Sequence, residues 1–136
     1  MNSIVNIHDA LADAIETQLA AYSITVTDSY PRWGDGGATL PTAALVIGSA
    51  DFESLRTGSK RFVALQFVLV IFGETEHQLE GMLQALLEWL RAATITVDGA
   101  DYVVRTATAP TRHDNQLDIE AEDHGFDFIL QINGVT

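Results

Sequence analysis

The sequence predicts a single α+β domain, in which an antiparallel or mixed β-sheet carries two helices packed mainly on one face. Two observations predict this class. Apolar residues recur at helical spacing in two segments, and the remaining segments are short runs that alternate in polarity or are rich in β-branched residues. The length of 136 residues suits one domain spanning residues 1–136, without an internal repeat or a linker.

The first helix is predicted from Ile4 to Tyr22. Apolar residues fall three or four positions apart there, and acidic residues occupy other positions, which is typical of a helix with one buried stripe. The stripe consists of Ile4, Ile7, Leu11, Ile15, Leu19 and Tyr22.

Two short strands are expected after this helix. Residues 23–29 alternate with period two and predict a half-buried strand that ends at Tyr30-Pro31. Residues 32–39 contain three glycines and therefore predict a loop. A second strand is expected from Ala43 to Ile47, followed by a polar connection over residues 51–60.

The longest apolar segment runs from Phe62 to Phe72 and contains one polar side chain, Gln66. A buried helix would fit its composition, but the β-branched and aromatic residues and the following Gly73 favour a central strand with apolar residues on both faces. Two helices most naturally cover one of these faces. Either the sheet curls over itself, or a neighbouring subunit covers the other face.

A second helix is predicted directly after this strand. The spacing Thr75-x-x-Gln78 is that of a capping box, and the helical stripe that follows ends at Leu90. Further along, Asp98-Gly99 lies between two alternating segments and predicts a β-hairpin.

The C-terminal part predicts two more strands. In residues 117–122, apolar side chains alternate with Asp118, Glu120 and Glu122, so this strand has one wet acidic face. The last strand carries its apolar face on Phe126, Phe128, Leu130 and Ile132.

Composition excludes several classes of function. Seven basic residues stand against 19 acidic ones, for a net charge of −12, which repels phosphate and disfavours binding to nucleic acid or to anionic membranes. The chain has no cysteine, which excludes disulfides, thiolate catalysis and Cys-ligated zinc. We expect neither a secretory signal nor a membrane-spanning segment, and we expect the protein to be made in a cytoplasm.

No residue pattern predicts a catalytic, cofactor or metal site. The four histidines are scattered, and the glycine-rich loop lacks the Gly-Lys-Ser/Thr ending of a phosphate loop. The carboxylates of residues 118–122 could in principle bind a hard cation, but their alternation favours a solvated strand edge. We therefore expect a protein that is not an enzyme and needs no cofactor.

Charge is distributed unevenly along the chain. Residues 51–73 carry Arg56, Lys60 and Arg61 against two acidic residues, whereas residues 94–136 carry two arginines against eight acidic residues. Complementary patches on different surfaces of one molecule favour head-to-tail contacts, which close into rings when the rotation allows. We expect the three basic residues to meet Asp118, Glu120 and Glu122 of a neighbouring copy, unless both are unrelated solvated surfaces.

The glycine-rich loop is the predicted partner contact. It carries Arg32, Trp33 and Asp35, and an exposed tryptophan on such a loop is typical of a binding anchor. The alternative is that Trp33 folds back over the core.

The order of elements resembles a known family of assembly proteins. The matching features are Leu19-Ala20-Ala21-Tyr22 at the end of the first helix, Tyr30-Pro31 after a strand, Leu40-Pro41-Thr42-Ala43 before one, Arg61-Phe62-Val63 opening the long strand, the helix from Leu79 to Leu90, and the acidic C-terminal strand pair. Together they resemble the tail terminator (tail completion) proteins of tailed bacteriophages, including the family of minor tail protein U. The likeness covers nearly the whole chain in order, length and pattern.

This resemblance implies a structural role in the virion. Such subunits form a ring, usually a hexamer, on the head-proximal end of the tail tube, where the ring stops tube polymerisation and presents a docking surface for the head-tail connector. Genome DNA passes through the ring without being bound, and assembly takes place in the host cytoplasm. A neck or head-completion adaptor is the alternative within phages. Outside phages, a small-molecule binding module or a hydrolase that uses Asp and His would be the rivals.

Overall fold

The structure, a computed structural model, describes residues 4–28, 41–54, 61–112 and 125–135. Within these residues it contains two α-helices and seven β-strands, which confirms the predicted α+β class. The elements are α1 (Ile4–Gln18), β1 (Val26–Thr27), β2 (Thr42–Ser54), β3 (Arg61–Phe72), α2 (Glu76–Trp89), β4 (Ala93–Val97), β5 (Ala100–Thr106), β6 (Thr111–Arg112) and β7 (Gly125–Val135).

All seven strands belong to one mixed sheet. Its order is β1-β2-β3-β7-β5-β4, and β6 pairs with the first residues of β7. The β1–β2 pair is parallel, and the other pairs are antiparallel. The predicted long strand β3 is central, because β2 and β7 pair with it along nearly its whole length.

The core lies between the two helices and one face of the sheet. Both helical stripes contribute to it, as do alternate residues of the strands, and burying each such aliphatic or aromatic side chain stabilises the fold by about 1.5–3 kcal/mol. Its completely buried members include Ile7, Leu11, Ile15, Leu19, Leu45, Leu65, Phe67, Leu69, Ile71, Leu79, Met82, Leu86, Tyr102, Leu130 and Ile132.

The opposite side of the sheet, which we call the outer face, is covered unevenly. At one end of β3, Val70 and Phe72 are buried, whereas Ala64, Gln66 and Val68 are half-buried further along the same strand. The expectation that β3 buries apolar residues on both faces is therefore confirmed at this end.

The first two predicted boundaries were wrong. The helix does not continue to Tyr22: α1 ends at Gln18, and Ala20–Tyr22 form one 3₁₀ turn. Ser23 then adopts a left-handed conformation, with a φ of 53°, and this turn shortens the predicted strand 23–29 to Val26–Thr27. The backbone N–H of Val26 donates to Oε1 of Glu16 at 2.9 Å, which holds the start of β1 against α1.

The second strand is longer than predicted. It was expected to end at Ile47 because residues 51–60 are polar, but β2 continues to Ser54, where it pairs with Arg61. The long strand β3 supplies a hydrogen-bonding partner over that distance, and pairing outweighs local polarity. A bulge between Ile47 and Ser49 shifts the register.

The later elements agree with the sequence, with one addition. The hydroxyl of Thr75 accepts a hydrogen bond from the N–H of Gln78 at 3.1 Å, and Asp98-Gly99 connects β4 to β5 through two residues with positive φ. The last strand, β7, buries Phe128, Leu130 and Ile132 as predicted. Strand β6 was not predicted, and the predicted acidic strand over residues 117–122 lies outside the described residues.

Candidate assembly surface

The residues predicted to form subunit and partner contacts lie almost entirely outside the described part of the chain. Arg61 is the first residue of β3. The other predicted contact residues are Arg56, Lys60, Asp118, Glu120 and Glu122 for the subunit interface and Arg32, Trp33 and Asp35 for the partner loop, and their roles remain predictions. The described surfaces available for subunit contacts are the outer face, the two edges of the sheet and the exposed side of α1.

A row of amide side chains crosses the middle of the outer face, next to Arg105 of β5, which pairs with Gln131. Gln66 of β3 pairs with Gln131 of β7, and their side-chain amides form a hydrogen bond of 2.8 Å. Gln131 in turn donates to Oδ1 of Asn133 at 3.2 Å. Half-buried Ala64 and Val68 flank this amide row on β3. The amides of this row are therefore hydrogen-bonded to one another within one subunit.

One edge of the sheet is open along most of β2. β1 pairs only with Ala43 and Ala44, and the carbonyl of Leu45 accepts a hydrogen bond from Nε2 of His8 at 2.7 Å. Beyond Leu45, no strand among the described residues pairs with the outer side of β2, which continues to Ser54.

The backbone groups on this open edge can be assigned from the register. Leu45, Ile47 and Ala50 pair with Leu69, Phe67 and Leu65, which are alternate residues of β3. Alternate residues of an antiparallel strand direct their N–H and C=O groups to the same side. Because the carbonyl of Leu45 faces His8 rather than β3, Ile47 and Ala50 also direct their backbone groups away from β3.

The other edge of the sheet is β4. The two-residue turn at Asp98-Gly99 makes Val97 and Ala100 a hydrogen-bonded pair. Thr94 and Thr96 then direct their N–H and C=O groups away from β5, and both are exposed. No strand among the described residues pairs with the outer side of β4.

An apolar groove adjoins the β2 edge. It lies between the start of α1 and β2, has a volume of about 220 Å³, and is lined by Ile4, Val5, His8, Leu45, Val46, Ile47 and Phe67, with Asp9 and Asp28 at its margin. Val5 is 65% exposed and Ile47 is 43% exposed, which is unusual for large apolar side chains. The imidazole of His8 lies against Phe67, with ring centroids 5.8 Å apart.

A second, acidic groove continues from it along α1. Asp9, Asp13, Glu16 and Asp28 line this groove, together with His8, Ala12, Val26 and Thr27. Sequence analysis assigned the acidic contact surface to the C-terminal strands and missed this one. The acidic positions between the apolar residues of α1 were the available signal, but they were interpreted only as the wet face of a helix.

Among the described residues, no group of three or more His, Asp or Glu side chains is arranged to hold a metal ion. Neither helix in the described ranges is long and apolar enough to cross a membrane.

Comparisons with known proteins show a likeness in fold. No family model matches the sequence, and no curated protein does. The fold is similar to that of a solved chain from a structure described as "Virion of native gene transfer agent (GTA) particle", with a TM-score of 0.58, 15% sequence identity, and coverage of 98% of this chain and 100% of that chain. At this identity, the likeness shows that the two chains share a fold over essentially their full lengths.

Proposed function

We propose that this protein is a structural subunit of a phage-like virion that acts as a tail terminator. One observation carries the proposal: the end-to-end similarity in fold to a chain of a gene transfer agent virion. The sequence resemblance to phage tail terminators, made from the order and length of the elements, supports the same role.

The proposed mechanism is geometric. Copies assemble into a ring, a hexamer in the family that the sequence resembles, at the head-proximal end of the tail tube. One ring face matches the last ring of the tube, and the other lacks the surface that binds the next tube subunit, so growth stops. That second face then binds the head-tail connector.

The charge of the protein supports this role. The genome passes through such a ring, and a net charge of −12 lets DNA move without being held by its phosphates. Arg56, Lys60 and Arg61 are proposed to contact acidic residues of the next subunit, either Asp118, Glu120 and Glu122 or the acidic groove on α1. The loop with Arg32, Trp33 and Asp35 is proposed to contact the tube or the connector.

The test has two stages. The first is the solution mass by light scattering at low and high salt, with negative-stain images of the same sample, and rings of about six subunits are expected. The second adds the purified rings to polymerising tube protein and measures tube lengths. Shorter tubes with a ring at one end support termination. Rings that bind a head connector but not the tube would instead identify a neck adaptor, and a protein that never assembles would refute the proposal.

A further inference from the structure

We propose that neighbouring subunits are joined edge to edge, with the open edge of β2 in one copy pairing with β4 of the next copy. This inference rests on the proposed ring and specifies the contact that closes it. The occupant of each open edge is a second copy of this chain, and the sheet of one subunit continues into the sheet of its neighbour.

The first argument is the backbone chemistry of the two edges. Ile47 and Ala50 on β2, and Thr94 and Thr96 on β4, direct hydrogen-bonding groups out of the sheet. An exposed edge of this kind is a template for pairing with another strand. Pairing of β2 with β4 gives the outward backbone groups of both edges a hydrogen-bonding partner in each copy.

The second argument is the absence of the usual protection. Soluble proteins block free edges with lysine, other charges or proline. β4 reads Ala-Thr-Ile-Thr-Val, without charge or proline, and the open part of β2 is free of both from Val46 to Ala50, whereas Asp51 and Glu53 follow before the strand ends. The bulge at Ile47 and Ser49 is the irregularity on this edge, and it leaves Ala50 paired with β3.

The third argument concerns the net charge. Two copies with a charge of −12 each repel one another, and the described helices carry acidic side chains on their exposed positions, including Asp9 and Asp13 of α1 and Glu80 and Glu88 of α2. β4 and residues 46–50 of β2 carry no charged side chain, so contact there brings fewer carboxylates together than contact through the helices, although Asp51 and Glu53 follow on β2. This favours a second copy at these edges.

The fourth argument is symmetry. Within one subunit, the described β2 and β4 are not paired with each other. Contacts between two different surfaces of identical subunits are head-to-tail and close into a ring if the rotation allows. Pairing of β4 with β4, or of β2 with β2, would instead stop at a dimer.

The test uses one proline variant for each edge. Thr94→Pro and Ala50→Pro each remove one outward N–H while leaving the N–H groups that face the neighbouring strand in place. The matched controls Thr94→Val and Ala50→Val keep the N–H. Circular dichroism and thermal unfolding of each variant establish that it is folded, and light scattering gives its mass.

We expect each proline variant to weaken the subunit contact at least about tenfold, so that rings are lost, whereas both valine controls form rings. A mixture of the two proline variants should form a one-to-one heterodimer, because each retains the edge that the other lacks. A heterodimer requires pairing between unlike edges.

Four results would overturn the inference. Rings of unchanged mass in both proline variants would exclude the proposed edge pairing but would not contradict the proposed function. Loss of assembly in one proline variant alone would point to pairing between like edges. A mixture that stays monomeric would exclude pairing of the β2 edge with β4. A wild-type protein that remains monomeric at high concentration would refute the ring and the edge pairing together.

Discussion

The hydroxyl oxygen of Tyr22 lies against Gly81 of α2, in the space that a Cβ atom at position 81 would occupy. Tyr22 belongs to the 3₁₀ turn that follows α1, so this contact joins that turn to α2. Glycine inside a helix normally lowers stability, by about 1 kcal/mol relative to alanine. Tyr22 explains why glycine stands at position 81, because its hydroxyl occupies the space that a Cβ atom would need.

This contact predicts a substitution effect that depends on the partner. Gly81→Ala alone should leave the free energy of unfolding unchanged or lower it, since the higher helix propensity of alanine is offset by displacement of the Tyr22 hydroxyl. In a Tyr22→Phe background, the same substitution should stabilise the protein by about 0.5–1 kcal/mol. Urea unfolding of the four proteins measures both values. Equal effects of Gly81→Ala in the two backgrounds would show that the contact has no energetic consequence.

Gly134 of β7 provides a second close approach. Tyr102 of β5 pairs with it across the sheet, and a Cβ at position 134 would overlap the ring of Tyr102 and lie 3.0 Å from the carbonyl oxygen of Asp101. Gly134→Ala is therefore expected to destabilise the fold by about 1–3 kcal/mol, the cost of overpacking against the fully buried Tyr102. Val135→Ala, at an exposed neighbouring position, serves as the control and should change stability by less than about 0.5 kcal/mol. A stabilising Gly134→Ala would contradict the packing argument.

The cap of α2 can be tested in the same assay. The Thr75 hydroxyl accepts from the N–H of Gln78, and the Gln78 side chain accepts from the N–H of Glu74 at 2.7 Å. Thr75→Ala should cost about 1 kcal/mol because one N–H at the helix start loses its partner. Thr75→Asp should retain most of the stability, since its carboxylate can accept the same bond. Equal losses for both variants would assign the effect to something other than capping.

The elements that the sequence predicts well are those with local signals. Thr75 and Gln78 are three residues apart, Asp98-Gly99 is a two-residue turn, and the segment from Phe62 to Phe72 has the composition of a buried strand wherever it lies. Each of these signals acts within a few residues, so no knowledge of the tertiary structure was needed.

The elements that were mispredicted or missed depend on distant partners. β2 extends to Ser54 because β3 pairs with it, and the sheet order follows from pairing of β3 with β7 roughly 60 positions later in the chain. The open edges of β2 and β4 can be recognised only once that order is known. The α1 groove also escaped prediction, because Asp28 reaches the acidic residues of α1 only through the left-handed turn at Ser23.

The ion pair between Arg112 and Glu76 predicts a salt-sensitive contribution to stability. Arg112 Nη1 and Nη2 donate to the two carboxylate oxygens of Glu76 at 2.6 and 3.1 Å, and its guanidinium carbon lies 4.8 Å from the ring centroid of Phe126. Both charged side chains are nearly half-exposed, so Arg112→Ala should cost only about 0.5–1.5 kcal/mol for the ion pair and the ring contact together. Arg112→Lys keeps the positive charge but loses the bidentate hydrogen bonding to the Glu76 carboxylate, so it should recover part of the stability that Arg112→Ala loses. An effect of Arg112→Ala that is the same at high and low salt would show that the ion pair contributes little.

The last prediction concerns Lys60 and Arg61, the second of which is the first residue of β3. The double variant Lys60→Glu with Arg61→Glu should dissociate the proposed ring at low salt and have a smaller effect at high salt, because ions screen contacts between exposed charges over about 10 Å at 0.1 M. The neutral variant Lys60→Gln with Arg61→Gln separates lost attraction from new repulsion and should lie between wild type and the reversed variant. Light scattering across a salt series measures the mass of each. If the reversed variant assembles like wild type at every salt concentration, these residues do not contact an acidic neighbour, and subunit association must depend on uncharged contacts such as the sheet edges.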